Sequence, residues 1–110
     1  MVDFNPARGS EQAGVRPGLV IQNDAGNANP RYPNTIILVI STKGKPVPFH
    51  VRLDPTKGNG LRESSFVKCE QILTIAKARL MGRPLGRAAP AQMRSIDVAL
   101  LLSLGVGLGP

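Results

Sequence analysis

The chain of 110 residues contains no tryptophan, one tyrosine, three phenylalanines, one cysteine and one histidine. Each scarcity removes a class of function. Phe4, Tyr32, Phe49 and Phe66 are too few to grip single-stranded nucleic acid mainly by base stacking. A lone Cys69 excludes an intrachain disulfide and fits a reducing compartment. With His50 the sole imidazole, no Cys/His metal-ligand spacing exists, so the chemistry expected is free of metal and cofactor. No apolar run approaches the ~20 residues of a membrane span, and the first residues lack the order of a signal peptide. The expectation is a cytoplasmic protein.

What is present is positive charge. Fourteen Lys and Arg against seven Asp and Glu give a net +7, which attracts polyanions: nucleic acid first, acidic protein partners second. Apolar residues at 42% mark a globular chain, and the length suits one domain over 1–110. Twelve glycines and ten prolines predict short elements joined by many turns.

The pattern along the chain gives those elements. Leu19-Val20-Ile21 reads as a short buried strand after the Pro17-Gly18 turn, and residues 24–34 as a polar loop. TIILVIST (35–42), β-branched and almost continuously apolar, predicts a central strand. FHVRL (49–53) alternates, with Phe49, Val51 and Leu53 on one face and His50 and Arg52 on the other. SFVKCEQILTI (65–75) sets Val67 and Cys69 on one face and Phe66, Lys68 and Glu70 on the other. Residues 90–104 read as a helix opened by Pro90, with Met93, Ile96, Leu100 and Leu104 at helical spacing and Gly105 as its stop. Val98, Leu101 and Leu102 make a second apolar face, which points to an interface. The fold class is mainly β with a C-terminal helix, as a small, strongly bent antiparallel barrel.

Taken alone, Arg16 before Pro17 reads as a turn-fixing surface residue, Thr42 as a strand end, Lys68 and Glu70 as a solvated pair, and His50 as a half-exposed strand residue. The order of motifs changes that. VDFNPARGSEQAGVRPGLVIQND (2–24), TIILVIST, SSFVKCEQILTI (64–75), KARL (77–80) and LG (85–86) together resemble the MazF/PemK/Kid family of toxin endoribonucleases. The GSEQAGVRP stretch and EQILTI are its specific signals.

The resemblance implies an SH3-like, plasmid-maintenance-toxin barrel. It implies a homodimer that cuts single-stranded RNA at a short preferred sequence and is neutralised by an acidic antitoxin. Metal-free RNA cleavage uses the neighbouring 2′-hydroxyl as nucleophile and needs a proton acceptor, charge stabilisation at phosphorus and an acid for the leaving oxygen. On the family pattern Arg16 stabilises the phosphate and Thr42 holds a phosphate oxygen or the 2′-hydroxyl. Glu11 and Glu70 are the candidate proton acceptors. Ser10, Gln12, Asn23, Lys43, Lys45, Lys68 and Gln71 are the expected RNA contacts, with loops 24–34 and 43–48 near the bases. Arginine is itself no base, since a guanidinium is essentially always protonated at neutral pH.

The sequence also departs from the pattern. Met1 falls where the family's first strand is already under way, so a shortened strand is expected. Ser10 stands where other branches have histidine, Ala76 replaces an aspartate that could orient Arg79, and Ala88-Ala89 predict a weak helix cap. Two rival readings follow: a non-catalytic toxin of the gyrase-poisoning kind, and a shortened relative that only titrates antitoxin.

Overall fold

The run TIILVI forms a central strand because both of its faces are covered. In the computed structural model, which describes residues 1–5 and 14–107, this strand is Asn34–Ser41. Ile37 packs with Val2, Phe4 and Ile75 on one side. Leu38 and Ile40 pack with Leu53, Val67, Cys69, Ile96 and Ala99 on the other. Fully burying such a side chain is worth about 1.5–3 kcal/mol, so a strand apolar on both faces anchors two clusters at once.

In chain order the elements are β1 (Val2–Asp3), β2 (Val15–Arg16), β3 (Gly18–Val20), α1 (Asp24–Ala28), β4 (Asn34–Ser41), β5 (His50–Leu53), β6 (Ser65–Ala76), a 3-10 turn (Lys77–Arg79) and α2 (Pro90–Leu104). An antiparallel sheet runs β3-β4-β6-β5, and β1 pairs with β2 in a second, two-stranded sheet. Pro17 is the switch between them: it separates β2 from β3 and has no N–H to give to a ladder. The long β6 bends in its middle. Leu38 lies opposite Ile72 and Val39 opposite Lys68, which leaves Cys69, Glu70 and Gln71 with no partner on β4. An irregularity of this kind kinks the strand and increases its twist. The curled sheet with its C-terminal helix is the architecture expected.

Three details differ from the sequence reading. Val20 is 40% exposed rather than buried, because β3 is an edge strand with one face outside. Residues 24–34 are not all loop but begin with α1. Its first turn is capped by the Asn23 side chain, which accepts from the Gly26 N–H at 2.7 Å. Its last carbonyls are met by Lys77 Nζ, which donates to Gly26 O at 2.8 Å and Asn29 O at 3.0 Å. In α2, Ile96 and Ala99 are buried and Met93 and Leu100 pack against the core, but Leu104 is 55% exposed.

The ends of α2 follow the expected chemistry. Ala89 has no side-chain oxygen to cap with, and only the reciprocal half of a capping box forms, the Ala89 N–H donating to Gln92 Oε1 at 2.9 Å. Gly105 takes the left-handed conformation at φ 66°, and the Gly105 and Val106 N–H groups close on the Leu102 and Leu101 carbonyls. β1 is two residues long, and its Val2 is a core residue bridged to Leu80.

Candidate active site

Strand register makes Ser41, Phe66, Lys68 and His50 neighbours across β4, β6 and β5. Gly18 lies opposite Val39 and Leu19 opposite Leu38 in the large sheet, whereas Arg16, two residues before Gly18, pairs with Val2 in the small one. Arg16 is exposed at the end of β2, where the chain has just left the second sheet. Thr42 is exposed and immediately follows β4. On β6 the neighbours at this end are Phe66 opposite Ser41, and Lys68, which lies between Val39 and His50 of the flanking strands.

The connection from β4 to β5 must straddle β6, because β6 lies between them in the sheet. Residues 42–49 make that crossing. Gly44 rides directly on the Phe66 ring, where any Cβ would overlap the ring carbons. The Lys43 N–H donates to Ser41 Oγ at 3.1 Å, the Val47 N–H to Lys45 O at 2.8 Å, and the His50 N–H to Val47 O at 3.1 Å. Lys43 and Lys45 keep exposed side chains that form no ion pair among the described residues.

His50 is the residue that sequence reasoning missed. Its side chain is only 7% exposed, and its Nε2 lies 2.8 and 3.0 Å from the two Glu70 carboxylate oxygens. On the other side of the ring the Lys45 N–H donates to Nδ1 at 3.1 Å. A nitrogen that accepts carries no proton, so the neutral ring holds its proton on Nε2 and donates it to Glu70. Glu70 reaches this position from the unpaired stretch of β6. The HVRL alternation was a readable signal that His50 and Arg52 share the outer face, but not that a loop closes over His50.

The neighbouring Cys69 is no nucleophile. Burial, with a smaller contribution from the Glu70 charge, pushes its thiol up to about 11, so at neutral pH it stays protonated. Of the other expected RNA contacts, Asn23 spends its side-chain oxygen on capping α1 and keeps its Nδ2. Lys68 and Gln71 are half-buried on the outer half of β6. Ser10, Glu11 and Gln12 lie outside the described residues. Asn5 and Gly14, on either side of that segment, are joined by the Gly14 N–H donating to Asn5 Oδ1 at 3.0 Å. Arg79, left without the family's usual aspartate, donates to the carbonyls of Asp3 and Asn5 at 3.1 and 2.7 Å and so ties β1 to the turn after β6.

The model of the PemK-like, MazF-like toxins of type II toxin–antitoxin systems matches residues 1–104. The chain belongs to this family. The toxin is 41% identical over 107 residues to the endoribonuclease MazF9 of Mycobacterium tuberculosis, covering 94% of this chain and 89% of that protein. It is 38% identical over 109 residues to the endoribonuclease MazF of Staphylococcus epidermidis, covering 96% and 87%. Among solved structures, a mycobacterial endoribonuclease in complex with its cognate antitoxin superposes with a TM-score of 0.79 at 26% identity, over 98% of this chain and 91% of that one. No helix among the described residues is long and apolar enough to cross a membrane.

Proposed function

We propose that this toxin is a metal-independent endoribonuclease that cuts single-stranded RNA at a short preferred sequence, with the neighbouring 2′-hydroxyl as nucleophile. The observation that supports the reading is the family match over residues 1–104, together with the exposed, lysine-bearing loop that begins at Thr42 and closes on the His50–Glu70 pair. In the reaction the 2′-oxygen attacks phosphorus and the bond to the 5′-oxygen breaks. A 2′,3′-cyclic phosphate and a 5′-hydroxyl result.

Arg16 meets the charge that builds on the phosphorane. A guanidinium offers a planar fork of charge-assisted hydrogen bonds, and Arg16 gives a proton to the leaving 5′-oxygen, which it regains through solvent from the carboxylic acid that took the 2′-hydroxyl proton. Thr42 holds a phosphate oxygen or the 2′-hydroxyl through its own hydroxyl. The proton of the 2′-hydroxyl goes to a carboxylate, Glu70 or Glu11. Lys43, Lys45, Lys68, Gln71, Asn23, Ser10 and Gln12 contact the strand on either side of the cut.

The toxin works as a homodimer and is neutralised by an acidic antitoxin. The exposed Val98, Leu102 and Leu104 of α2 support an interface, and the net charge of +7 suits both an RNA and an acidic partner. The test is a chimeric RNA. After cut sites are mapped on a long transcript, an oligonucleotide carrying the site is made with a single 2′-deoxy nucleotide 5′ to the scissile phosphate. The all-ribose version is cut and the deoxy version resists. Equal cleavage of both rules out 2′-hydroxyl attack.

A further inference from the structure

We propose that His50 is a positioning residue for RNA binding: through Nδ1 it holds the loop that carries Lys43 and Lys45 across β6, while Glu70 fixes the tautomer that makes this possible. The proposal rests on the RNA-cleavage reading and deepens it.

The argument begins with the crossing loop. Because β4 and β5 are not neighbours in the sheet, residues 42–48 have no ladder to join, and only at Phe49 does the chain meet β6 again, its carbonyl accepting from the Cys69 N–H at 2.9 Å. Pro46 and Pro48 offer no N–H at all. The Lys45 N–H, two positions beyond the last hydrogen bond to β4, finds its partner in the imidazole of His50 at 3.1 Å. That nitrogen accepts only while the ring proton sits on Nε2. The Glu70 carboxylate, an obligate acceptor at 2.8 and 3.0 Å, holds it there. Phe49 stacks edge-on against the ring at 5.3 Å between centroids, which limits its rotation. The imidazole is thus fixed on three sides and buried, and what it fixes in turn is a two-lysine loop whose cations have no partner among the described residues. Holding those cations in place before RNA arrives removes an ordering cost from binding. The same loop begins at Thr42.

Two substitutions separate the two sides of the ring. In His50→Asn, Oδ1 takes the place of Nδ1 and accepts the Lys45 N–H, but the side chain is too short to reach Glu70. In His50→Gln, the amide nitrogen takes the place of Nε2 and donates to Glu70, leaving the Lys45 N–H without an acceptor. Two readouts follow in each variant: hydrogen exchange of the Lys45 amide without RNA, and KM and kcat for cleavage of an oligonucleotide carrying the mapped site. The expected result is that Gln speeds Lys45 exchange and raises KM by about tenfold each, the effect of one lost hydrogen bond, with kcat within about twofold of the parent. Asn keeps Lys45 exchange and KM near the parent.

Unchanged exchange in His50→Gln would overturn the anchoring. Loss of kcat in His50→Asn with a parent-like His50→Gln would overturn it differently, by showing that the ring acts through Glu70 instead. If the parent toxin cuts no RNA, the cleavage reading fails. The exchange rates then still report on the anchor, so the two failures are told apart.

Discussion

Thr42 and Cys69 illustrate how little a residue type decides without its surroundings. Thr42 is exposed one step beyond the central strand, and the role proposed for it needs only its hydroxyl. Thr42→Ser should therefore keep most activity, while the isosteric Thr42→Val should lose about 10- to 100-fold in kcat/KM, the value of a hydrogen bond to a charged group. Single-turnover cleavage of one oligonucleotide measures both. Cys69 is a chemically versatile residue placed where none of that chemistry is available. Burial keeps its thiol protonated up to about 11 in the folded chain, against the ordinary 9.0 of an exposed thiol. The unfolded chain therefore releases this proton first as pH rises. The resulting stability is intact below about 9 and is lost between about 9 and 11, amounting to ~2–3 kcal/mol. Urea unfolding of the parent and Cys69→Ala across that range should show the steeper decline in the parent. His50 could not be read from its neighbours in sequence. Its partners lie twenty residues away on β6 and on a loop whose path depends on strand order, and neither leaves a local pattern.

At the scale of elements, the parts legible in the sequence are those stabilised by their own residues. β4 declared itself because five consecutive apolar residues serve two cores, and α2 because Pro90 and Gly105 mark its ends. β6 was readable over nearly its whole length, but its central irregularity was not: nothing in CEQ says that β4 skips those residues. α1 went unread because its last carbonyls depend on Lys77, which arrives from the far end of β6. The crossing loop gives this scale its prediction. Gly44 sits on the Phe66 ring with no room for a methyl group. Gly44→Ala should push the loop off β6, lowering Tm by several degrees, as expected for ~1 kcal/mol in a domain of this size. It should also raise KM for RNA. Phe66→Leu in the same background, which clears space for the methyl group, should restore part of both. Calorimetry and steady-state cleavage check the pair.

The whole molecule is a curled sheet with an apolar cluster against each face of its central strand and a C-terminal helix that leaves Val98, Leu102 and Leu104 exposed. Val98 and Leu102 are about half exposed on α2 although their neighbours Ile96 and Ala99 are fully packed. In a dimer that face is an interface, and Leu102→Glu should shift sedimentation from dimer to monomer with little change in secondary structure. A parent chain that sediments as a monomer at micromolar concentration would remove the homodimer from the account. The family and the broad architecture were legible because GSEQAGVRP and EQILTI are specific strings. The working arrangement was not, because it arises where three strands and a crossing loop meet.

The most direct test of the central claim is cleavage of a long single-stranded RNA in EDTA by the parent chain and by Arg16→Ala, with the new 5′ ends mapped by primer extension. The account predicts discrete cuts in EDTA, reduced at least about 10²- to 10³-fold in the variant, as when one preorganised donor to a developing oxyanion is removed. Cuts that require added metal, or that persist undiminished in Arg16→Ala, would contradict it.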